Sequence, residues 1–546
     1  MAMQLIEQRQ PDRRADPQRW LRWERSLVGL LRDNGAWSQL EAHVNRNIAS
    51  LPPEQQRWLA TQRVEALLNL QRPQEARALL RDLMWNDSGA DAAAIAQWRH
   101  LVIQSYLEEG RSNDAYDAML RYRQDYGAGD RESMMLSARV LLANDRPVDA
   151  RWHLKNAGES TDAAALRLLA ALRIGEPVKE IMQQARRRLK ENPATGRARA
   201  ILWGVVAEGS GRLGDHAASA TALEQYYGEP GSQLVETGLF QFTPDALWAS
   251  YISYGLEIGN RAQLLLGDDA AWLKAAEAGG SQYPIRSRSL YAVVTERASS
   301  EAARHQAHRA LLQLLAGKER KSALLKALYL HSQRFAPPKQ LPVPVRYFLY
   351  DIALGEADLE LASQMRLGLE DAPADVDPFQ WQLRGARVFM LAGDYGHASR
   401  ALSALLDGSA LQSQEQLDRV MQVVFDMQTV GEHERAVKLF EQLALKPLEP
   451  QTRREILYWI GDSRLAQQRY LEAARYYLHS AILPGIETMD PWAQTARYQT
   501  AKALSQAGLK EDAAVLYRQL LVVTDDPARK AVLQRELEQL RLVSRK

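Results

Sequence analysis

Side chains able to do chemistry are spread along this 546-residue chain, but few stand at the spacings that chemistry needs. His305 and His308 are three apart, which on a helix puts two imidazoles on one face, as the start of a metal site. No third histidine or carboxylate follows at ligand spacing, so exposed helix polars are the plainer reading and no metal is expected. Gly267-Asp268-Asp269 opens like a calcium loop, yet Ala270, Ala271 and Trp272 stand where alternating oxygen ligands should be. A capped turn before a helix accounts for it. There is no His-Glu-x-x-His pair, no glycine-rich phosphate loop ending in Gly-Lys-Ser/Thr and no Gly-x-Ser-x-Gly elbow. Arg186-Arg187-Arg188 with Lys190 is a basic run between Glu180 and Glu191, read as a solvated helix face, because nucleic acid calls for a long basic stripe. Asn86-Asp87-Ser88 matches a glycosylation acceptor at the frequency of chance.

Composition narrows the field further. Cysteine is absent, which removes disulfides, thiolate metal sites and a cysteine nucleophile together. Its absence also fits an oxidising compartment, where a stray thiol invites wrong pairing. Lys+Arg 69 against Asp+Glu 67 leaves a net charge of +2, too small for a field that gathers nucleic acid or an anionic membrane. With 46% hydrophobic and 25% charged residues the chain has ordinary globular composition. The first 18 residues are polar, carry Arg13 and Arg14, and lack the apolar core of a signal peptide; Met1-Ala2-Met3 reads as a start that replaces a removed export or lipidation segment. No stretch approaches a membrane span.

The elements that would position functional groups show themselves through a recurring phrase: a glycine or polar turn, alanine five residues later, and a bulky residue four beyond that. It reads Gly393, Ala398, Leu402; Gly431, Ala436, Phe440; Gln468, Ala473, Tyr477; Gly508, Ala513, Tyr517. The turns are 38, 37 and 40 residues apart. Looser copies stand at Gly35, Gln71 with Ala76, Gly110 with Ala115, Asp145 with Ala150, Gly175 and Gly214. Physically this is a helical hairpin: one helix ends at a residue that tolerates left-handed backbone, and a second begins at once. Alanine sits where the helices cross, and the large side chain fills the hole beside it. Seven residues before each turn, Ala386, Val424, Gly461 and Ala501 repeat the requirement for close approach.

These residues resemble the tetratricopeptide repeat family, with its small eighth residue, glycine near the fifteenth, alanine at the twentieth and aromatic at the twenty-fourth. The resemblance is strongest over 379–526 and extends more loosely over 20–228. The period exceeds the family's 34 residues by a few, and most of the repeat-closing prolines are missing, although Pro447 and Pro484 fall near that place. The resemblance implies an all-α solenoid of hairpins wound as a right-handed superhelix, whose first helices line a concave groove at positions two, five, nine and twelve. Carried onto this sequence, those offsets select Gln380, Leu383 and Arg387; Met421 and Phe425; Tyr458 and Asp462; Tyr498 and Lys502; and, upstream, His100, Gln104 and Arg139. A groove mixing Tyr, Phe, Arg and Asp suits an extended peptide or a helix of a partner protein.

The expected organisation is a polar tail over 1–19, a first array over 20–228, an irregular helical middle over 229–345, a second array over 346–526 and a capping helix over 527–546. In the middle the period breaks, and punctuation gathers at Gly228-Glu229-Pro230-Gly231 and at Pro337-Pro338-Lys339-Gln340-Leu341-Pro342-Val343-Pro344, the expected joint. An atypical hairpin is expected around Gly355. Helical rings of lytic transglycosylases are similar in being long, helical and often exported. Their catalytic glutamate followed by a Gly-Leu-Met-Gln type segment has no counterpart, and the nearest fragment, Glu132-Ser133, lies in a repeat helix. The expected function is therefore a non-catalytic, cofactor-free scaffold that binds a protein or peptide and no nucleic acid. Its expected setting is a periplasmic, bacterial cell-envelope assembly, with association to a membrane complex but no span of its own. A cytosolic scaffold or chaperone is the alternative, and a helical glycan-processing enzyme the third reading.

Overall fold

The computed structural model describes residues 10–11, 13–48, 51–86, 89–127, 129–191, 196–229, 231–232, 235, 238–280, 282–316, 321–335, 340–407, 413–484 and 490–543. Twenty-nine helices and no strand are found among the described residues. Asp87 and Ser88 of the glycosylation pattern, Pro230, Pro337, Pro338, Lys339 and most of the polar tail lie outside them. The chain divides into two compact units, Met1–Ala336 and Pro337–Lys546.

The recurring phrase is a folding instruction in both units. Each turn residue it picks out adopts positive φ: Gly35, Gln71, Gly110, Asp145, Gly175, Gly214, Gly393, Gly431, Gln468 and Gly508. The residue after the turn donates its N–H to a carbonyl five residues back, as in Asp394 to Phe389 at 2.8 Å, Glu432 to Met427 at 3.0 Å and Arg469 to Arg464 at 2.9 Å. This closure satisfies carbonyls that the ending helix would leave bare. Ala398, Ala436, Ala473 and Ala513 are then fully buried at the crossings, with Leu402, Phe440 and Tyr477 equally buried one turn on. Gly461 shows why the position seven before the turn must be small: a Cβ there would lie 2.8 Å from Cδ1 of Tyr477.

Two places depart from expectation. The hairpin expected around Gly355 turns at Ala357, with φ 58°, because Gly355 still belongs to the Val343–Gly355 helix. Counted from Ala357 the phrase is regular again, with Ala362 and Arg366 buried at the small and large positions. After Gly175 the buried set moves one place on, to Ile181, Ala185 and Leu189, because Pro177 delays the next helix to Val178–Glu191.

In the second unit, first helices Pro378–Leu391, Gln414–Thr429, Pro450–Ala466 and Pro491–Gln506 pair with Tyr395–Asp407, His433–Ala444, Tyr470–Ala481 and Lys510–Val523. Asp377, Ser413 and Asp490 cap three of the first helices through their side chains. Arg469 precedes a second helix and has no oxygen to offer, so it pairs with Glu472 three residues on. Arg72 with Glu75, Arg111 with Asp114 and Arg146 with Asp149 repeat this device in the first unit. The Pro527–Val543 helix closes the series by packing Leu533 and Leu540 with Tyr517 and Leu520.

In the first unit the middle segment packs directly on the hairpins before it. The His216–Gly228 helix contacts Pro244–Ile258, which contacts Pro284–Arg297. A buried knot joins the three: Arg288 donates to both oxygens of Glu224, at 2.7 and 2.8 Å, and the Tyr251 hydroxyl donates to the same carboxylate at 2.6 Å. The Pro244–Ile258 and Pro284–Arg297 helices meet at Gly255, where a Cβ would lie 2.5 Å from the Ser289 carbonyl oxygen. Among the described residues no helix is long and apolar enough to cross a membrane.

Candidate partner-binding groove

Successive first helices of the second unit lie side by side. Gln428 donates to the Trp459 carbonyl oxygen at 3.1 Å, Phe425 lies 5.1 Å from the Trp459 ring, and Tyr458 lies 5.2 Å from the ring of Trp492. Second helices pack against this row, and several of the residues named from the repeat offsets touch them: Phe425 lies against Phe440, Tyr458 and Asp462 against Tyr477, and Tyr498 against Tyr517. Gln380, Arg387 and Lys502 are exposed. Phe425 is half-buried between Phe440 and Trp459. Leu383 and Met421 are 3% and 4% exposed, members of the core beside Ala386 and Val424, so they hold the hairpins together and offer a partner almost no surface.

Tyr458 is the centre of an aromatic wall. Its half-buried ring stands 5.1 Å from Tyr477 and 5.5 Å from Trp459 as well as against Trp492. Burial raises its hydroxyl pKa, the Asp462 carboxylate adds to this, and a hydrogen bond with Gln499 opposes it. Asp462 accepts a hydrogen bond from the Tyr477 hydroxyl. Tyr498 is half-buried beside Tyr517, 5.8 Å between rings.

Two residues of this face belong to the row that begins at Gln380 but were not singled out from sequence: Asp418 and Glu455, at the same offset before their turns. Burial raises the Glu455 carboxyl and the Asp418 charge raises it further, while Arg454 opposes. Arg454 is itself committed to Asp490, which it holds with both guanidinium nitrogens. Neither Asp418 nor Glu455 makes an ion pair among the described residues, and Asp418 accepts from Gln414 at 2.9 Å. On the Val343–Gly355 and Pro378–Leu391 helices, Arg384 lies over the rings of Tyr350 and Trp381, at 5.2 and 5.4 Å, and 3.7 Å from Asp351.

The upstream residues lie in the first unit. His100 is half-buried, 6.1 Å from the Tyr122 ring. Its protonation is disfavoured by burial and by Arg139, with Glu132 opposing. Gln104 donates to Glu108 at 2.7 Å, and Arg139 is buried.

The chemistry considered from sequence takes plain structural forms. Asp268 caps the Asp269–Gly279 helix, accepting from the Ala271 N–H at 3.0 Å. Asp269 turns the other way, accepting from the Ser299 hydroxyl and the Ser300 N–H, both at 2.9 Å; burial raises its pKa, but these bonds bring the net shift below the ordinary value. His308 is buried 3.0 Å from the Tyr329 hydroxyl, while His305 pairs loosely with Glu301. No group of three or more His, Cys, Asp or Glu able to hold a metal is gathered among the described residues. A cleft of about 610 Å³ in the first unit contains Asp145, Glu208 and His216, but the Glu208 carboxylate is held by Arg173 and Arg212.

No protein-family model and no curated protein matches the chain. Among solved structures it is similar to the APC/C hetero-tetramer Cut9-Hcn1, at 11% identity over 94% of this chain and 89% of the other, with a TM-score of 0.25. It is also similar to yeast Tom70, at 11% identity over 90% of this chain and 97% of the other, TM-score 0.23. A third is the pentatricopeptide repeat protein PPR10 in complex with an 18-nt psaJ RNA element, at 13% identity over 95% and 82%, TM-score 0.28.

Proposed function

We propose that this tetratricopeptide-like solenoid is a non-catalytic scaffold whose first-helix face in the second unit binds an extended segment of a partner protein. The observation that carries the reading is the aromatic wall around Tyr458 standing beside two carboxylates, Asp418 and Glu455, that make no ion pair among the described residues. Aromatic anchors with orienting charge are what a peptide-binding surface needs. The carboxylates also disfavour the phosphates of a nucleic acid. The setting we propose is a bacterial cell-envelope assembly, supported by the absence of cysteine from the chain.

Partner recovery from native extracts tests the groove. Tyr458→Ala with Tyr498→Ala is expected to lose the partners that the unaltered chain retains, and Glu455→Lys to lose the same ones by charge reversal. Unchanged recovery with folding intact rejects the reading. Cell fractionation of the native gene product tests the setting, and a purely cytosolic product rejects it.

A further inference from the structure

The first unit carries a second surface, on the helix His216–Gly228, with depressions on both sides. One, of about 410 Å³, is lined by Leu189, Trp203, Val206 and Ala222, with Arg186 and Lys190. The other, of about 840 Å³, is lined by Tyr254, Ala275, Ala278 and Tyr283, with Arg286. Ala218 and Thr221 line both, so the two hollows meet over small side chains.

Two observations say what would fill them. The walls are largely apolar, and Tyr283 stands 58% exposed at one of them, surface that water leaves unrewarded. The lining charge is unbalanced. Arg186, Lys190 and Arg286 make no ion pair among the described residues, and the one lining carboxylate, Asp215, is spent capping its helix through the Ala218 N–H at 2.9 Å. Arg187 and Arg188, exposed beside Arg186, extend the same positive edge.

We propose that this double hollow docks an amphipathic segment of a partner protein, with apolar side chains entering the two depressions and acidic side chains pairing with Arg186, Lys190 and Arg286. The basic run that looked like a solvated face then has a use: it selects an acidic ligand and brings it to an apolar seat. Small residues along the floor let the ligand backbone come close. The face belongs to the first unit and the groove at Tyr458 to the second, and they share no residue, so each proposal has its own test.

The test uses the full chain and a fluorescein-labelled 18-residue helical peptide with Leu at three- and four-residue spacing and Glu elsewhere, compared with its Lys-for-Glu counterpart by anisotropy. The Glu peptide is expected to bind at least about tenfold more tightly than the Lys peptide, and to weaken as salt is raised. Arg186→Glu with Lys190→Glu is expected to weaken it about tenfold. Thr221→Trp, at an exposed helix position, fills the junction and is expected to abolish binding, while Tyr458→Ala with Tyr498→Ala leaves it unchanged. Equal affinity for the two peptides, or binding indifferent to Thr221→Trp, overturns the proposal. A dimer in sedimentation that Thr221→Trp dissolves also overturns it, assigning the face to a second copy of this chain.

Discussion

Replacing Gly461 by alanine tests the packing logic of the repeat at its tightest point. The new methyl carbon would lie 2.8 Å from Cδ1, 2.9 Å from Cε1 and 3.1 Å from Cγ of Tyr477. That ring cannot swing aside freely. It is fully buried, its hydroxyl is bonded to Asp462, and Tyr458 lies 5.1 Å away. Helix propensity alone favours alanine over glycine by about 1 kcal/mol. Overpacking a filled core costs about 1–3 kcal/mol, and with the ring held at both ends the upper part of that range applies. The net expectation is a loss of about 1–2 kcal/mol. Repeat arrays open locally, so amide hydrogen exchange of the full chain is the suitable assay. Peptides covering 450–481 should exchange about tenfold faster for each 1.4 kcal/mol lost, while those of the first unit are unchanged. Tyr477→Leu destabilises on its own by leaving a void, but in that background Gly461→Ala should cost little. If alanine leaves exchange unchanged, or costs the same with and without the tyrosine ring, the reasoning is wrong.

Ala357 holds φ at 58° without being glycine, and Ala357→Gly should stabilise its hairpin by about 0.5–1 kcal/mol, read as slower exchange across 343–366. Cutting one arm of the buried knot, by Glu224→Gln or Arg288→Met, should cost about 3–5 kcal/mol, whereas Glu224→Leu with Arg288→Met together should recover much of it in urea unfolding. Burial, with the charges of His305 and Arg304, lowers the pKa of His308 from 6.5 to about 3. The unfolded chain therefore takes up a proton first, and stability is full above about pH 6.5 and declines as pH falls toward 3. His308→Phe should flatten that part of the stability profile, and a slope unchanged by the substitution would refute the assignment.

What was legible in the sequence was whatever the stacking of hairpins repeats. Gly431, Ala436 and Phe440 could be placed because left-handed backbone, a close crossing and the hole beside it recur about every 38 residues, and each recurrence confirms the others. Ala357 escaped because alanine is a poor marker of positive φ and Gly355, two residues before it, is a better one; the buried Ala362 and Arg366 and the Asp358 N–H donated to the Ala353 carbonyl at 2.9 Å give the true register. The Glu224, Arg288 and Tyr251 knot was invisible for a different reason. Its members are far apart in sequence and belong to the middle, where no period relates one helix to the next. Offsets borrowed from a repeat family locate a helix face but not its exposure, and so Leu383 and Met421, which pack into the core, were grouped with exposed Arg387 and Lys502.

The same contrast explains why the chemistry of the proposed groove resists reading by period. Positions that hold hairpins together must recur, since every hairpin presents its neighbour with the same geometric problem. Positions on the open face are free of that demand, so a partner can dictate them, and they need not recur. The row thirteen residues before each turn shows this: Gln380, Asp418, Glu455 and Thr495 share one place in the hairpin and no common chemistry. Packed helices lie about 8–10 Å apart, and an extended chain advances about 3.3 Å per residue. A segment crossing this face thus meets a new hairpin at roughly every third residue. On the proposed reading its cationic residue belongs where Asp418 and Glu455 are neighbours, and the neutral ends of the row place no charge requirement on the residues to either side.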